Sequence, residues 1–273
     1  DLLIKLGVPY NSDEAVNVAS DIMSCIQTES RRKSAELAKE RGAFPNFDLS
    51  EYASRGQSPL RNATTTTIAP TGTISIIAGA SSGIEPVFAL AYVRNVMDNS
   101  RLIESNPAFK EAVRTLGSGY DFNEIMDRVA QHGSASEVSE LPENIRRIFV
   151  TAHDVSPEWH IKTQSAFQRY VDNAVSKTVN FSSDATVEDI RTVYDMAYDL
   201  GCKGVTVYRD GSRDNQVLQK PGVRADEPAK QQPETIVHAM APRPRHEVTW
   251  GATRKMNTGC GSLYVTINED EYG

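Results

Sequence analysis

Residues 174–208 read AVSKTVNFSSDATVEDIRTVYDMAYDLGCKGVTVY. Ala174 to Asn180 has the composition of a strand. Thr186 to Leu200 has helical spacing, with Val187, Ile190, Val193, Tyr194 and Ala197 on one face. Glu188 and Asp189 sit in its first turn, where acidic side chains favour the helix dipole. Gly201 ends it, and Lys203 to Tyr208 is again strand-like, with Val205 and Val207 on one side. A strand, a helix and a strand over about 35 residues make a βαβ unit, so the two strands are expected to be parallel with a right-handed crossover. The fold class is therefore α/β. Functional groups in such units gather at the carboxyl ends of the strands, here Asn180 and Tyr208 to Asp210. Ser176 and Lys177 lie in mid-strand. A lysine there faces solvent or is paired, and a role at phosphates is the less favoured alternative. Cys202, just past the helix end, reads as buried and inert.

A second stretch, residues 62–88, reads NATTTTIAPTGTISIIAGASSGIEPVF. Thr64 to Ala69 favours extended backbone, and Pro70 ends any ladder because it has no N–H. Gly72 allows close approach or a positive φ. Thr71, Thr73 and Ser75 supply three hydroxyls, with no acidic side chain among them. Ile74 to Ala80 supplies the first turns of a helix. Backbone amides and hydroxyls converging on a loop that opens a helix make a phosphate cradle. Most Thr/Gly-rich turns of this kind bind nothing, and no Gly-Lys-Ser/Thr is present to make this a Walker loop.

These residues carry a resemblance. Ala69-Pro-Thr-Gly-Thr-Ile-Ser75, followed by Ser82-Gly-Ile-Glu-Pro86, is similar to the large catalytic subunit of ribonucleotide reductases, and more closely to the adenosylcobalamin-dependent class. Asp172-Asn-Ala-Val-Ser-Lys-Thr-Val-Asn180 and Leu200-Gly-Cys-Lys-Gly-Val-Thr-Val-Tyr-Arg-Asp-Gly-Ser-Arg213 resemble the same class, in the same order. The resemblance covers most of residues 1–213. It implies the C-terminal part of a ten-stranded α/β barrel, two half-barrels around a finger loop. It also implies that Pro70, Thr71, Gly72, Thr73, Ile74 and Ser75 bind the substrate diphosphate, with Ser82 to Pro86 shaping the wall beside them.

The rest of the chain fits a soluble protein. Of 273 residues, 39% are hydrophobic and 24% charged, and the net charge is −7. That balance argues against general nucleic-acid binding, which needs a basic face. No apolar run is long enough to span a bilayer and no signal peptide is visible. Three widely spaced cysteines make no disulfide framework, so a reducing cytoplasm is expected. The chain starts at Asp1 and stops in mid-pattern at Gly273, as a fragment would.

Residues 11–42 are the clearest helical stretch, as one bent helix or two. Asn11 and Glu14 fit a capping box, Gly42 fits the C-terminal cap, and Val18, Ile22, Ile26, Ala35, Leu37 and Ala38 recur at helical spacing. Cys25, beside that stripe, reads as a small buried hydrophobe. Residues 43–59 read as a loop over the barrel mouth. A strand is expected at 89–96 and helices at 99–116 and 121–133, the last with Ile125, Met126 and Val129 on one face. Leu141 to Asn144 starts a turn before the short amphipathic run Ile145 to Val150. His132 and His153 have no partner at metal-ligand spacing. Ser156 and Pro157 start a helix running to about Asp172, on which His160 reads as structural.

Residues 214–246 hold interleaved prolines and charges with few apolar side chains, the texture of a flexible linker. Residues 247–273 contain Thr258-Gly-Cys-Gly-Ser-Leu-Tyr-Val-Thr-Ile-Asn268, a glycine turn and an alternating strand. They resemble the start of a small cysteine-containing domain attached to cobalamin-dependent reductases. Cys260 lies between two glycines, without a partner cysteine further on.

The implied reaction replaces the ribose 2′-hydroxyl of a ribonucleoside diphosphate by hydrogen. A thiyl radical abstracts the 3′-hydrogen and a cysteine pair supplies the electrons, themselves restored by a thioredoxin-like reductant. Adenosylcobalamin starts the radical. Diphosphate is the substrate form the resemblance favours over triphosphate. The remainder of the same polypeptide is a required partner, a homodimer is left open, and nucleic acid and membrane are not expected. The family's Asn-x-Cys-x-Glu catalytic loop does not occur here, so no catalytic residue is assigned and the chain alone is expected to be inactive. Two rivals stand: an iron-dependent reductase large subunit, disfavoured because Thr206-Val207 stands where adjacent tyrosines are expected, and a non-catalytic nucleotide-binding or regulatory piece.

Overall fold

The computed structural model describes residues 1–95, 101–212, 250–258 and 261–269. The chain divides into two compact units, Asp1–Val223 and Arg224–Gly273. The linker expected at 214–246, and Cys260, lie outside the described residues.

In the first unit the elements are α1 (Leu2–Leu6), α2 (Asp13–Arg41), α3 (Glu51–Ser54), α4 (Gly72–Ala78), β1 (Ala91–Asn95), β2 (Arg101–Ser105), α5 (Pro107–Arg114), α6 (Phe122–His132), α7 (Glu143–Ile148), α8 (Pro157–Gln168), β3 (Thr178–Phe181), α9 (Val187–Asp199) and β4 (Thr206–Arg209). The second unit holds β5 (Trp250–Thr258) and β6 (Gly261–Glu269), paired antiparallel from Trp250↔Glu269 to Thr258↔Gly261.

The βαβ unit forms as its sequence predicts. β3 and β4 are parallel, with Thr178 opposite Thr206 and Phe181 opposite Arg209. Between them α9 starts at Thr186, whose hydroxyl accepts from the Asp189 N–H while the Asp189 carboxylate accepts from the Thr186 N–H, closing a capping box. Gly201 follows at φ 75°. Of the expected core face, Val193 and Ala197 are buried and Ile190 packs beside them, but Val187 and Tyr194 are exposed. Two faces meet in this core. Val179 and Phe181 from β3 pack with Val193 and Ala197 from α9, and Ile161 of α8 is fully buried among them.

The parallel pattern extends upstream in reduced form. Thr64 to Ala69 makes a single parallel bridge, Ile68↔Val175, rather than the expected strand. The Asn173 N–H donates to the Thr66 carbonyl and the Ser176 N–H to the Ile68 carbonyl. The Thr65 N–H instead donates to the Asp172 carboxylate at 2.7 Å, so a side chain takes the donor a ladder would use. Arg31 of α2 holds the other carboxylate oxygen at 2.8 Å. Burial alone would raise the Asp172 pKa, but the Thr65 N–H, the Arg31 guanidinium and the Thr65 hydroxyl outweigh it and leave it lowered.

Residues 13–41 form one helix, so neither a bend into two helices nor a cap at Asn11 is found. The cap is Ser12, whose hydroxyl accepts from the Ala15 N–H at 3.1 Å. The buried side chains are Ala15, Ala19, Met23, Ser34 and Ala38. Cys25 is exposed, not buried. It lies two residues past Met23, about 200° around a helix from the buried face. Residues 43–59 are not a plain loop: a single 3-10 turn, Phe47–Leu49, and α3 interrupt them.

The helix expected over 99–116 is the largest error among the described elements. Residues 101–105 are β2, antiparallel to β1, and the helix starts only at Pro107. Asn106 caps it, accepting from the Ala108 and Phe109 N–H groups, with Pro107 at the first helical position. The α6 prediction holds: Ile125, Met126 and Val129 are buried, and Gly133 closes the helix in the left-handed region at φ 77°. They pack with Phe109 and Val113 of α5, and with Leu90, Leu141 and Phe149, in one apolar cluster. α8 starts at Pro157 as predicted but ends at Gln168, short of Asp172.

Ile161 tests the core of the βαβ unit. Ile161→Val should cost about 1 kcal/mol and Ile161→Ala about 2–5 kcal/mol, because the enclosed site cannot collapse around the lost methyl groups. Urea denaturation checks the order, and equal midpoints for all three proteins would contradict this packing.

Candidate functional site

The loop predicted to bind phosphate leads directly into α4. Thr71 has φ 51°, the one positive-φ non-glycine among the described residues. A β-branched side chain is costly in that region, so the surroundings must hold it there. Gly72 is helical and has no positive φ; the unusual backbone belongs to its neighbour Thr71. An added Cβ at Gly72 would meet nothing within 4 Å. The first intrahelical bond runs from the Ser75 N–H to the Thr71 carbonyl, 2.9 Å. The N–H groups of Gly72, Thr73 and Ile74 therefore stand at a helix start without intrahelical acceptors. Thr71 to Ile74 are exposed and Ser75 is half-buried, its hydroxyl donating to the Gly72 carbonyl at 2.7 Å.

The segment Ser82–Pro86 lies against this loop. The Ser82 hydroxyl donates to the Pro70 carbonyl at 2.6 Å and stands 3.4 Å from the Thr71 hydroxyl. Gly83 has φ 51°, the left-handed region that favours glycine, and lies beside Ala69, where an added Cβ would make only an ordinary contact at 3.5 Å from the carbonyl oxygen. The Glu85 N–H donates to the Ser82 carbonyl at 3.0 Å and closes the turn. Tyr10, buried, donates to the Ile84 carbonyl at 2.8 Å.

Beneath this wall is a buried polar cluster. Lys177 is 1% exposed. Two residues from each of Val175 and Val179, both buried, it shares their face and points inward; it stands one residue before β3 rather than in mid-strand, and the solvent-facing alternative for it is wrong. Its ammonium meets the Glu85 carboxylate at 2.5 Å, the His160 Nδ1 at 2.6 Å and the Thr178 carbonyl at 2.5 Å. The second Glu85 oxygen accepts from the Thr178 N–H at 2.7 Å. Burial lowers the Lys177 pKa, and Glu85 opposes the shift. His160, fully buried, is pulled down to about 3 by burial and by Lys177. The ring is therefore neutral at pH 7. Its Nδ1 accepts from Lys177, so Nε2 carries the proton and faces the Ala152 carbonyl at 3.3 Å. The structural reading of His160 holds, with a more specific task than packing. Sequence reasoning missed the partners: a lysine at an inward strand position needs a carboxylate, and Glu85 stands in the second quoted stretch.

A cavity of about 750 Å³ joins the elements. Ser75, Ser82, Glu85, Thr178 and Asn180 line it, together with Asn106 and Lys110. Ser75 and Asn180 both line it; Tyr208 pairs with Asn180 across the ladder, but neither it nor Arg209 and Asp210 lines the cavity. Pro70 to Ile74 are not among its lining residues and face outward beside it. Among the described residues no group of three or more His, Cys, Asp or Glu side chains is placed to hold a metal ion. His132 pairs with Glu137 at 3.0 Å. Cys202 is half-buried, and burial raises its thiol pKa, in keeping with an inert residue.

The His160 environment predicts a pH dependence. Between about 3 and 6.5 the unfolded chain binds a proton that the folded ring refuses, so stability is full above pH 6.5 and falls on acidification at up to about 1.4 kcal/mol per pH unit from this group. His160→Gln keeps a neutral polar side chain without the titration. Its urea midpoint should fall less than that of the wild type between pH 6.5 and 4; parallel curves would contradict the neutral, buried ring.

Comparison with known proteins agrees with this architecture. The family model described as ribonucleotide reductase, barrel domain, matches residues 1–58 and 53–208. A vitamin B12-dependent ribonucleoside-diphosphate reductase of Thermoplasma acidophilum is 50% identical over 240 residues, covering 88% of this chain and 31% of that protein. A protein of the same name from Mycobacterium tuberculosis is 47% identical over 218 residues, covering 80% of this chain and 31% of its own length. The chain thus spans about a third of these relatives. A solved structure, the class Id ribonucleotide reductase alpha subunit of Actinobacillus ureae, superimposes with a TM-score of 0.61 at 22% identity, over 77% of this chain and 37% of that one, and shares the fold. With its α/β elements in place and the family model matched from Asp1 to Tyr208, the chain belongs to the ribonucleotide reductase barrel-domain family.

Proposed function

We propose that this chain is part of an adenosylcobalamin-dependent ribonucleotide reductase that converts ribonucleoside diphosphates to 2′-deoxyribonucleoside diphosphates. Its own part is to bind the substrate phosphates through Pro70, Thr71, Gly72, Thr73, Ile74 and Ser75. One observation carries this reading: a strained, exposed loop at a helix start borders the cavity reached by the carboxyl end of β3. Free helical N–H groups and the hydroxyls of Thr71 and Thr73 are suited to an anion. The cavity volume lies within the roughly 300–1,000 Å³ of small-molecule sites.

The cofactor assignment rests on the names of the relatives at 47% and 50% identity, and on Thr206-Val207 in place of paired tyrosines. Adenosylcobalamin supplies the radical that starts the reaction. Among the described residues no side-chain constellation singles out a corrin. What these residues do is hold the phosphates, so that the ribose is oriented toward the reacting groups. Cys25 and Cys202 stand outside any Asn-x-Cys-x-Glu pattern. We further propose a thioredoxin-like reductant, a homodimeric assembly and a cytoplasmic location; among the described residues no helix is long and apolar enough to cross a membrane. Residues 1–213 belong to the barrel in this reading, and β5 and β6 begin a small separate domain.

The test is equilibrium binding of a ribonucleoside diphosphate and of the matching nucleoside to the full-length protein. Gly72→Leu fills open space and needs no unusual backbone, so it should fold normally while obstructing the cradle. It should weaken diphosphate binding at least tenfold. Thr73→Ala should weaken it several-fold. Unchanged diphosphate affinity in a folded Gly72→Leu protein would remove the phosphate assignment.

A further inference from the structure

The Lys177 cluster does more than satisfy itself. A lysine between two buried valines has to be desolvated, and an apolar residue of the same length would fill that position without this cost. Its three hydrogen bonds connect elements far apart in sequence: Glu85 from the Ser82–Pro86 wall, His160 from α8, and the backbone of β3 at Thr178. From Glu85 the connection continues. The Glu85 N–H holds the Ser82 carbonyl, and the Ser82 hydroxyl holds the Pro70 carbonyl and faces the Thr71 hydroxyl. Thr71 is the strained residue that opens the candidate phosphate loop.

We propose that Lys177, acting through Glu85 and Ser82, is a positioning residue that sets the conformation of the Pro70–Ser75 loop for the substrate diphosphate. The inference rests on the phosphate-binding reading of that loop and adds its determinant. Lys177 itself does not reach the loop. It fixes the Glu85 carboxylate against β3, where the Thr178 N–H takes the second oxygen. Tyr10 pins the Ile84 carbonyl, so the turn is held on both sides of Glu85. A turn fixed in this way keeps the Ser82 hydroxyl on Pro70 and the Thr71 backbone at positive φ.

The test compares Lys177→Met and Glu85→Gln in the full-length protein. Lys177→Met replaces the ammonium by an apolar side chain of similar length. Glu85→Gln keeps an oxygen for the Thr178 N–H and removes the charge. Each should lower the melting temperature, because it leaves a buried group without its partner, and in the folded protein each should weaken binding of the ribonucleoside diphosphate, and of pyrophosphate as a competitor, about tenfold, with nucleoside affinity little changed. The double variant should be no worse than the weaker single one, because both break the same connection. A merely structural pair would lower the melting temperature alone and spare the ratio of diphosphate to nucleoside affinity. If Gly72→Leu loses diphosphate affinity while both folded variants keep it, the positioning role is overturned and the loop assignment survives. If Gly72→Leu also keeps it, the loop assignment falls and the inference with it. Should Lys177→Met fail to fold, Glu85→Gln alone decides between these outcomes.

Discussion

An ammonium group with no access to water must have every one of its protons accepted, and around Lys177 that requirement fixes three separate parts of the chain. The carboxylate comes from the Ser82–Pro86 wall, the imidazole from α8 and the carbonyl from the next residue of the strand. None of these elements is a sequence neighbour of the others, apart from Thr178. Removing one acceptor would leave a buried charge without compensation, which is far more costly than exposing a surface pair. Burial already disfavours a charged His160 ring, and a second cation at 2.6 Å from the first adds to that, so His160 stays neutral.

The α/β character was legible because it rests on local chemistry. The capping box at Thr186, the acidic first turn and Gly201 belong to α9 itself, and two flanking β-branched runs can pair in parallel only across such a helix. Elements decided by tertiary partners were less legible. Thr64 to Ala69 has every preference for a strand, yet Asp172, distant in sequence, takes the Thr65 N–H, and only one bridge forms. Residues 101–105 have a composition open to helix or strand. Pairing with β1 selects the strand, and Asn106-Pro107, a cap and first-turn signal readable in the sequence, marks where the helix starts. On α2, Ala38 is buried as expected, but in the first half Ala15, Ala19 and Met23 rather than Val18, Ile22 and Ile26 are buried.

At the candidate site, Ser75 at the end of the Pro70–Ser75 motif lines the cavity with Asn180, at the strand carboxyl ends where ligands gather. Of the two alternatives left open for Gly72, close approach or a positive φ, the positive φ is not found there. Glycine is the usual bearer of a positive φ, but here Thr71 bears it, with its hydroxyl 3.4 Å from that of Ser82. The buried cluster was out of reach of the sequence. Lys177, Glu85 and His160 are unremarkable apart, and their meaning appears only when the fold brings Glu85 and His160 within 2.6 Å of the Lys177 ammonium.

The central claim is that this chain is the phosphate-binding part of a cobalamin-dependent reductase. It is tested most directly by ribonucleoside diphosphate reduction in the full-length protein, with a dithiol reductant, with and without adenosylcobalamin. The account predicts formation of 2′-deoxyribonucleoside diphosphate only when the cofactor is present. Turnover that ignores adenosylcobalamin and depends instead on a separate iron protein would contradict it.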